Sequence, residues 1–140
     1  MSESPYITHR ETLLDGKYGT AYLLQQFILY QYAPYRYSFE IDNHRGGFDS
    51  RHLQIYQDMK QWFWEHGRTS DGFEELAETI QARWISQAEA NRDELLQLRE
   101  MRPEDYPHDN GADQLESYKS AIALREMHHQ RFVEKGFLDE

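Results

Sequence analysis

The sequence predicts a mainly α-helical fold: a compact single-domain bundle of about four helices over residues 1–140, with at most one short extended segment near 35–41. Three observations predict it. Four segments repeat apolar side chains at helical spacing. Each carries a start or stop signal, such as Asp113 before the last segment and Gly67 after the second. The joins are short, which suits helices packed against one another.

Residues 1–15 are expected to be loosely ordered. The first helix spans 19–32, GTAYLLQQFILYQY, and ends at Ala33-Pro34. Its apolar residues point nearly all round, the mark of a buried helix. Tyr35 to Asp42 alternates apolar and polar residues, which reads as a short strand or an extended segment. Asn43 to Gly47 is a loop broken by Gly46-Gly47.

Asp49 or Ser50 caps a second helix over 50–66, closed by Gly67. Its apolar stripe is Leu53, Tyr56, Met59 and Phe63, widened by Trp62 and Trp64. A third helix follows the cap Ser70 and runs to Met101, stopped by Pro103. Residues 102–112 hold two prolines, Asn110 and Gly111, and form a loop. A last helix over 113–135 is capped by Asp113 and ended by Gly136.

Composition narrows the function classes. The chain carries 15 Lys+Arg against 25 Asp+Glu, a formal net charge of −10, with a mean hydropathy of −0.93. That balance opposes direct binding to nucleic-acid phosphates and favours a basic partner. No run reaches the roughly 18 apolar residues of a membrane span. MSESPYITHR lacks the pattern of a secretory leader, and there is no cysteine, so a cytoplasmic protein without disulfides or thiolate chemistry is expected. The charge is uneven: residues 1–70 hold 8 acids and 7 bases, whereas 71–140 hold 17 acids and 8 bases. Fifteen of the 20 aromatic residues lie between Tyr18 and Trp84.

Enzyme and metal chemistry find little footing. Glu126-x-x-His129 has the i, i+3 spacing of di-iron bundles, shared by Asp49-x-x-His52 and Asp105-x-x-His108. Such a site also needs carboxylates from the other helices, and 19–32 has none. His52 lies in an apolar arc and reads as a hydrogen-bonded core histidine. There is no nucleophile motif or phosphate loop, and Arg102 with His108 falls across prolines. The expectation is no enzyme, no metal and no cofactor. Tyr30, Tyr32, Tyr35 and Tyr37 crowd around Pro34, but a base-stacking platform wants interleaved cations and only Arg36 is near.

The third helix carries the strongest signal. Placed at about 100° per residue, Phe73, Ala77, Ile80, Trp84, Ala88, Leu95 and Leu98 share one arc. Asp71, Glu74, Glu75, Glu78, Glu89, Asp93 and Glu100 share another, with Ile85 and Leu96 inside it. Gln87, Asn91 and Glu94 intrude on the apolar side, where a kink is one explanation. The acidic arc, with Ile85 and Leu96 as apolar anchors, is the expected partner-binding surface.

The run Gly19-Thr20 … Leu24 … Phe27-Ile28-Leu29, then Gly46-Gly47-Phe48-Asp49, a helix, and Phe73 … Trp84 resembles small uncharacterised accessory proteins of plasmids and phages, over about residues 16–84. The resemblance implies a mobile-element accessory protein, and proteins of that origin include anti-CRISPR and anti-restriction inhibitors. The leading expectation is a non-enzymatic nucleic-acid mimic whose acidic helix engages the basic surface of a host protein or ribonucleoprotein. The alternative is an antitoxin, immunity protein or secretion chaperone that binds through the aromatic half. A metal-dependent bundle using Glu126 and His129 is the enzyme-class alternative.

Overall fold

The computed structural model describes residues 3–16, 19–39, 48–107 and 113–140. Within them the fold is mainly α, as the sequence predicts, with six helices, two single 3₁₀ turns and no strand. The chain divides into two compact units, Met1–Ala82 and Arg83–Glu140. The division falls inside a helix, so no linker composition marks it in the sequence.

The first unit opens with α1 (Pro5–Thr8) and α2 (Arg10–Asp15), where the sequence leads one to expect loose order. Ser4 Oγ accepts the Tyr6 N–H at 3.3 Å, and Pro5 takes the first helical position. Helices this short do not hold alone in water. Tertiary burial orders them instead: Tyr6 and Leu13 are each 0% exposed. α1 packs on the helix Ser50–His66, and α2 packs on the helix Gly19–Tyr32.

That second partner, α3 (Gly19–Tyr32), buries Ala21, Leu24, Phe27, Ile28 and Leu29, close to the all-round burial its sequence predicts. Gln25 Nε2 donates to the Leu13 carbonyl at 2.8 Å, tying α2 to α3. Pro34–Arg36 then form a turn, and the backbone to Phe39 is irregular rather than a strand. The rest of the candidate extended segment and the Gly46-Gly47 loop lie outside the described residues.

α4 (Ser50–His66) starts at Asp49, whose carboxylate accepts the His52 N–H at 2.9 Å, and ends at Gly67, φ 64°. Its buried residues are His52, Ile55, Tyr56 and Met59. The sequence stripe is corrected at both edges: Ile55 replaces Leu53 in the core, and Trp64 is 86% exposed. Trp64 lies about 140° round the helix from Met59, so one face cannot hold both.

α5 (Phe73–Glu100) is one continuous helix, beginning just after Gly72. Ser70 does not cap it directly: its hydroxyl donates to the Gly67 carbonyl at 2.6 Å, in the turn before Gly72. In the first unit α5 buries Phe73, Leu76, Ala77 and Ile80.

In the second unit α5 buries Ala88, Asn91 and Leu95. The partner there is α6 (Gln114–Glu134), capped by Asp113, which accepts the Glu116 N–H at 3.2 Å. No kink is needed for the polar residues of α5. Asn91 Nδ2 donates to the Arg125 carbonyl at 3.0 Å, and Arg125 donates to Asn91 Oδ1 at 3.1 Å and meets Glu94 Oε2 at 2.6 Å. A polar seam therefore joins α5 to α6. Tyr118 Oη donates to the Leu98 and Met101 carbonyls at 2.6 and 2.9 Å, satisfying the open end of α5. Among the described residues no helix is long and apolar enough to cross a membrane.

Candidate interaction surfaces

Two helices of the first unit build a groove of about 720 Å³. Phe27, Tyr30 and Pro34 line it from α3 and its end, and Phe63 and Trp64 from α4. Phe27 is buried at the floor, whereas Tyr30 is 39% exposed and Trp64 86% exposed. Tyr35, one residue past Pro34, is 91% exposed. The polar rim is Gln57, Lys60 and Gln61. Gln61 Nε2 donates to Glu65 Oε1 at 2.8 Å, while Lys60 has no ion-pair partner among the described residues.

An open groove flanked by a Trp and a Tyr offers large, rigid apolar anchors at low entropic cost. Helical spacing alone puts Trp64 in the widened stripe of α4 and Tyr30 on a helix apolar nearly all round. One sequence signal does mark the surface: Trp62-Phe63-Trp64 are consecutive, and three neighbours about 100° apart cannot all face one core.

The four tyrosines around Pro34 separate into different roles. Tyr37 is buried and its hydroxyl accepts from Gln81 Nε2 at 2.8 Å. Arg68 lies over the Tyr32 ring, 5.0 Å from its centroid, and its guanidinium donates to the Tyr32 carbonyl. Only Tyr30 and Tyr35 face outward, so the four rings do not make a single stacking platform.

The acidic row is exposed throughout: Asp71, Glu74, Glu75, Glu78, Glu89, Asp93 and Glu100 all reach solvent. Leu96 is 48% exposed and Ile85 half-buried. Several acids are already engaged. Arg10 holds Glu75 with two bonds of 3.0 and 2.7 Å, and Arg68 approaches Glu74 at 3.9 Å. Glu78 accepts from Tyr32 Oη at 3.4 Å, and Arg92 lies 3.9 Å from Glu89. The carboxylates of Asp71, Asp93 and Glu100 have no ion-pair partner among the described residues.

The described histidine pairs belong to different units. Asp49 accepts from the His52 backbone and lies 2.7 Å from its Nδ1; these bonds hold the Asp49 carboxyl below the usual carboxylate range. His52 is 6% exposed, a core histidine with a hydrogen-bond partner. Glu126 accepts from Arg99 at 3.2 Å, and His129 Nδ1 is buried without a hydrogen-bond partner among the described residues. His108 lies outside the described residues. No three metal-ligating side chains converge among those described.

Compared with protein-family models, with curated proteins and with solved structures, the chain matches none.

Proposed function

We propose that this is a non-enzymatic interaction protein that holds a partner protein through the groove between α3 and α4. One observation carries the reading: Trp64, 86% exposed, stands beside a groove that already contains Phe27, Tyr30, Pro34 and Phe63. An isolated exposed tryptophan needs no account, but one bordering a ready-made apolar groove supplies the anchor-and-pocket pairing of binding hot spots. The occupant is an amphipathic helix of the partner, apolar toward the groove and carrying an acid opposite Lys60.

The experiment places a photo-crosslinking phenylalanine at position 64 in the cell that expresses the protein. The expected result is one defined adduct, lost when Tyr30→Ala is added. Adducts that persist with Tyr30→Ala, or none at all, overturn the reading. An adduct of twice the chain mass assigns the groove to a second copy instead.

A second reading keeps the acidic helix as the surface and a basic nucleic-acid-binding site of a host complex as the partner, the role of a mobile-element inhibitor of the anti-CRISPR or anti-restriction type. Its support is that all seven acids reach solvent and that, among the described residues, Asp71, Asp93 and Glu100 have no ion-pair partner. Exposed carboxylates steer a basic partner over about one Debye length, roughly 8 Å at physiological salt. Reversing Glu74, Glu78, Glu89 and Asp93 to lysine separates the readings. Loss of the partner in a folded variant supports the acidic face, and full retention removes it.

A further inference from the structure

The second unit is acidic, yet its cations are not shared evenly. Arg92, Arg99, Arg102 and Arg125 each lie within 4.0 Å of a carboxylate. Among the described residues Lys119, Arg131 and Lys135 reach none, although acids outnumber bases in this part of the chain. Of these, Arg131 and Lys135 line a second groove, of about 480 Å³, between α5 and α6.

The geometry of that groove is specific. His128, Arg131 and Lys135 repeat at three- and four-residue spacing, so they share one face of α6 and its end. Arg125 joins them, already fixed by Glu94 and Asn91. The aromatic wall is Trp84 and Phe132. Both rings are set by Phe137: Trp84 stacks on it at 5.6 Å and 11°, and Phe132 meets it edge-on at 6.4 Å. Gln87 adds an amide with both a donor and an acceptor.

We propose that this groove binds a small ligand combining a phosphate with a planar ring, a mononucleotide in chemical class. Arg131 and Lys135 supply charge-assisted bonds to phosphate oxygens, the guanidinium in a two-pronged geometry. The aromatic wall supplies a stacking surface for a base, and Gln87 a polar edge to read it. Arg131 and Lys135 also sit where a helix C-terminus favours positive charge. A dipole contact, however, accounts for neither the groove nor its rings. The net charge of −10 repels anions at long range, but a phosphate inside the groove lies within one Debye length of the basic cluster.

The test is calorimetric titration of the full chain, at low salt, with adenosine and uridine 5′-monophosphates, inorganic phosphate and the two nucleosides. At least one mononucleotide is expected to bind about tenfold or more tightly than phosphate or its nucleoside, and Arg131→Gln with Lys135→Gln to weaken it about tenfold or more. Both residues are exposed, so the variant retains its fold, checked by circular dichroism. The ¹⁵N-labelled indole resonance of Trp84 is expected to shift on binding, and those of Trp62 and Trp64 to stay in place. No mononucleotide exceeding phosphate alone, binding unchanged in the double variant, or shifts confined to Trp64 would each overturn the proposal. The first unit's groove shares no residue with this one, so either reading can fail without the other.

Discussion

Tyr6 Oη donates to Gln31 Oε1 at 2.8 Å, joining residues 25 positions apart inside the first unit. The same hydroxyl approaches the Met59 carbonyl at 3.3 Å, so one phenol links α1 to both α3 and α4. Burial pushes the Tyr6 phenol well above its ordinary pKa, which keeps it a donor.

Tyr6→Phe removes that donor and leaves the buried Gln31 oxygen without it. The expected cost is about 1–3 kcal/mol in urea denaturation at unchanged m-value. Adding Gln31→Leu, which removes the stranded acceptor, is expected to recover part of the loss.

Gly72 stands where α1 passes the start of α5. Its φ is 79°, and a Cβ built there would lie 2.8 Å from Ile7 Cγ1. Gly72→Ala therefore meets both backbone strain and a clash. A loss of about 1–2 kcal/mol is expected, measured by thermal unfolding. Gly67→Ala has open space around the Cβ but a backbone of φ 64° and ψ −153°, a region essentially restricted to glycine, so it is expected to cost about 1–3 kcal/mol from strain alone.

Asp49 predicts a pH dependence. Its folded-state carboxyl titrates below the ordinary 3.8 because the His52 backbone N–H, then the His52 side chain, hydrogen-bond to it. The cap therefore contributes fully above about pH 4 and is lost as pH falls through the lowered folded value. Asp49→Asn keeps an acceptor but removes that titration. Its unfolding midpoint is expected to change less between pH 5 and pH 3 than the parent's.

Sequence reasoning recovers what local chemistry decides. Asp49, Asp113, Gly67 and Gly136 mark helix ends through caps and backbone conformations that a few residues determine. It misses what depends on distant partners. Ser4-Pro5 is a valid helix start, yet Gln31, Met59 and Phe73, all distant in sequence, make Tyr6 a core residue. The acidic row is legible because exposure of charge follows from periodicity. Trp62-Phe63-Trp64 marks an outward ring, but the aromatic groove itself is not legible, since it needs α3 and α4 placed together. Asn91 looks like an error in an apolar arc until Arg125 appears opposite it.

Asn91 and Glu94 supply a contrasting pair of variants. Asn91 is 5% exposed and both gives and takes a bond, so Asn91→Ala is expected to cost about 1–3 kcal/mol. Glu94 is half-exposed, and Glu94→Gln is expected to cost about 1 kcal/mol or less. Chemical denaturation of the two variants under one buffer checks the ranking.

The polar seam between α5 and α6 also restricts how those helices can be aligned during folding. Two helices held by small and aliphatic side chains alone tolerate sliding, because one apolar contact substitutes for another. Displacing α6 by a single turn, about 5.4 Å, carries the Arg125 carbonyl and guanidinium away from Asn91 and strands a buried amide. Shifted pairings are thereby raised in energy relative to the native one, as a buried asparagine does in coiled coils. The seam acts as a registration mark, discarding decoy alignments that hydrophobic burial alone would accept.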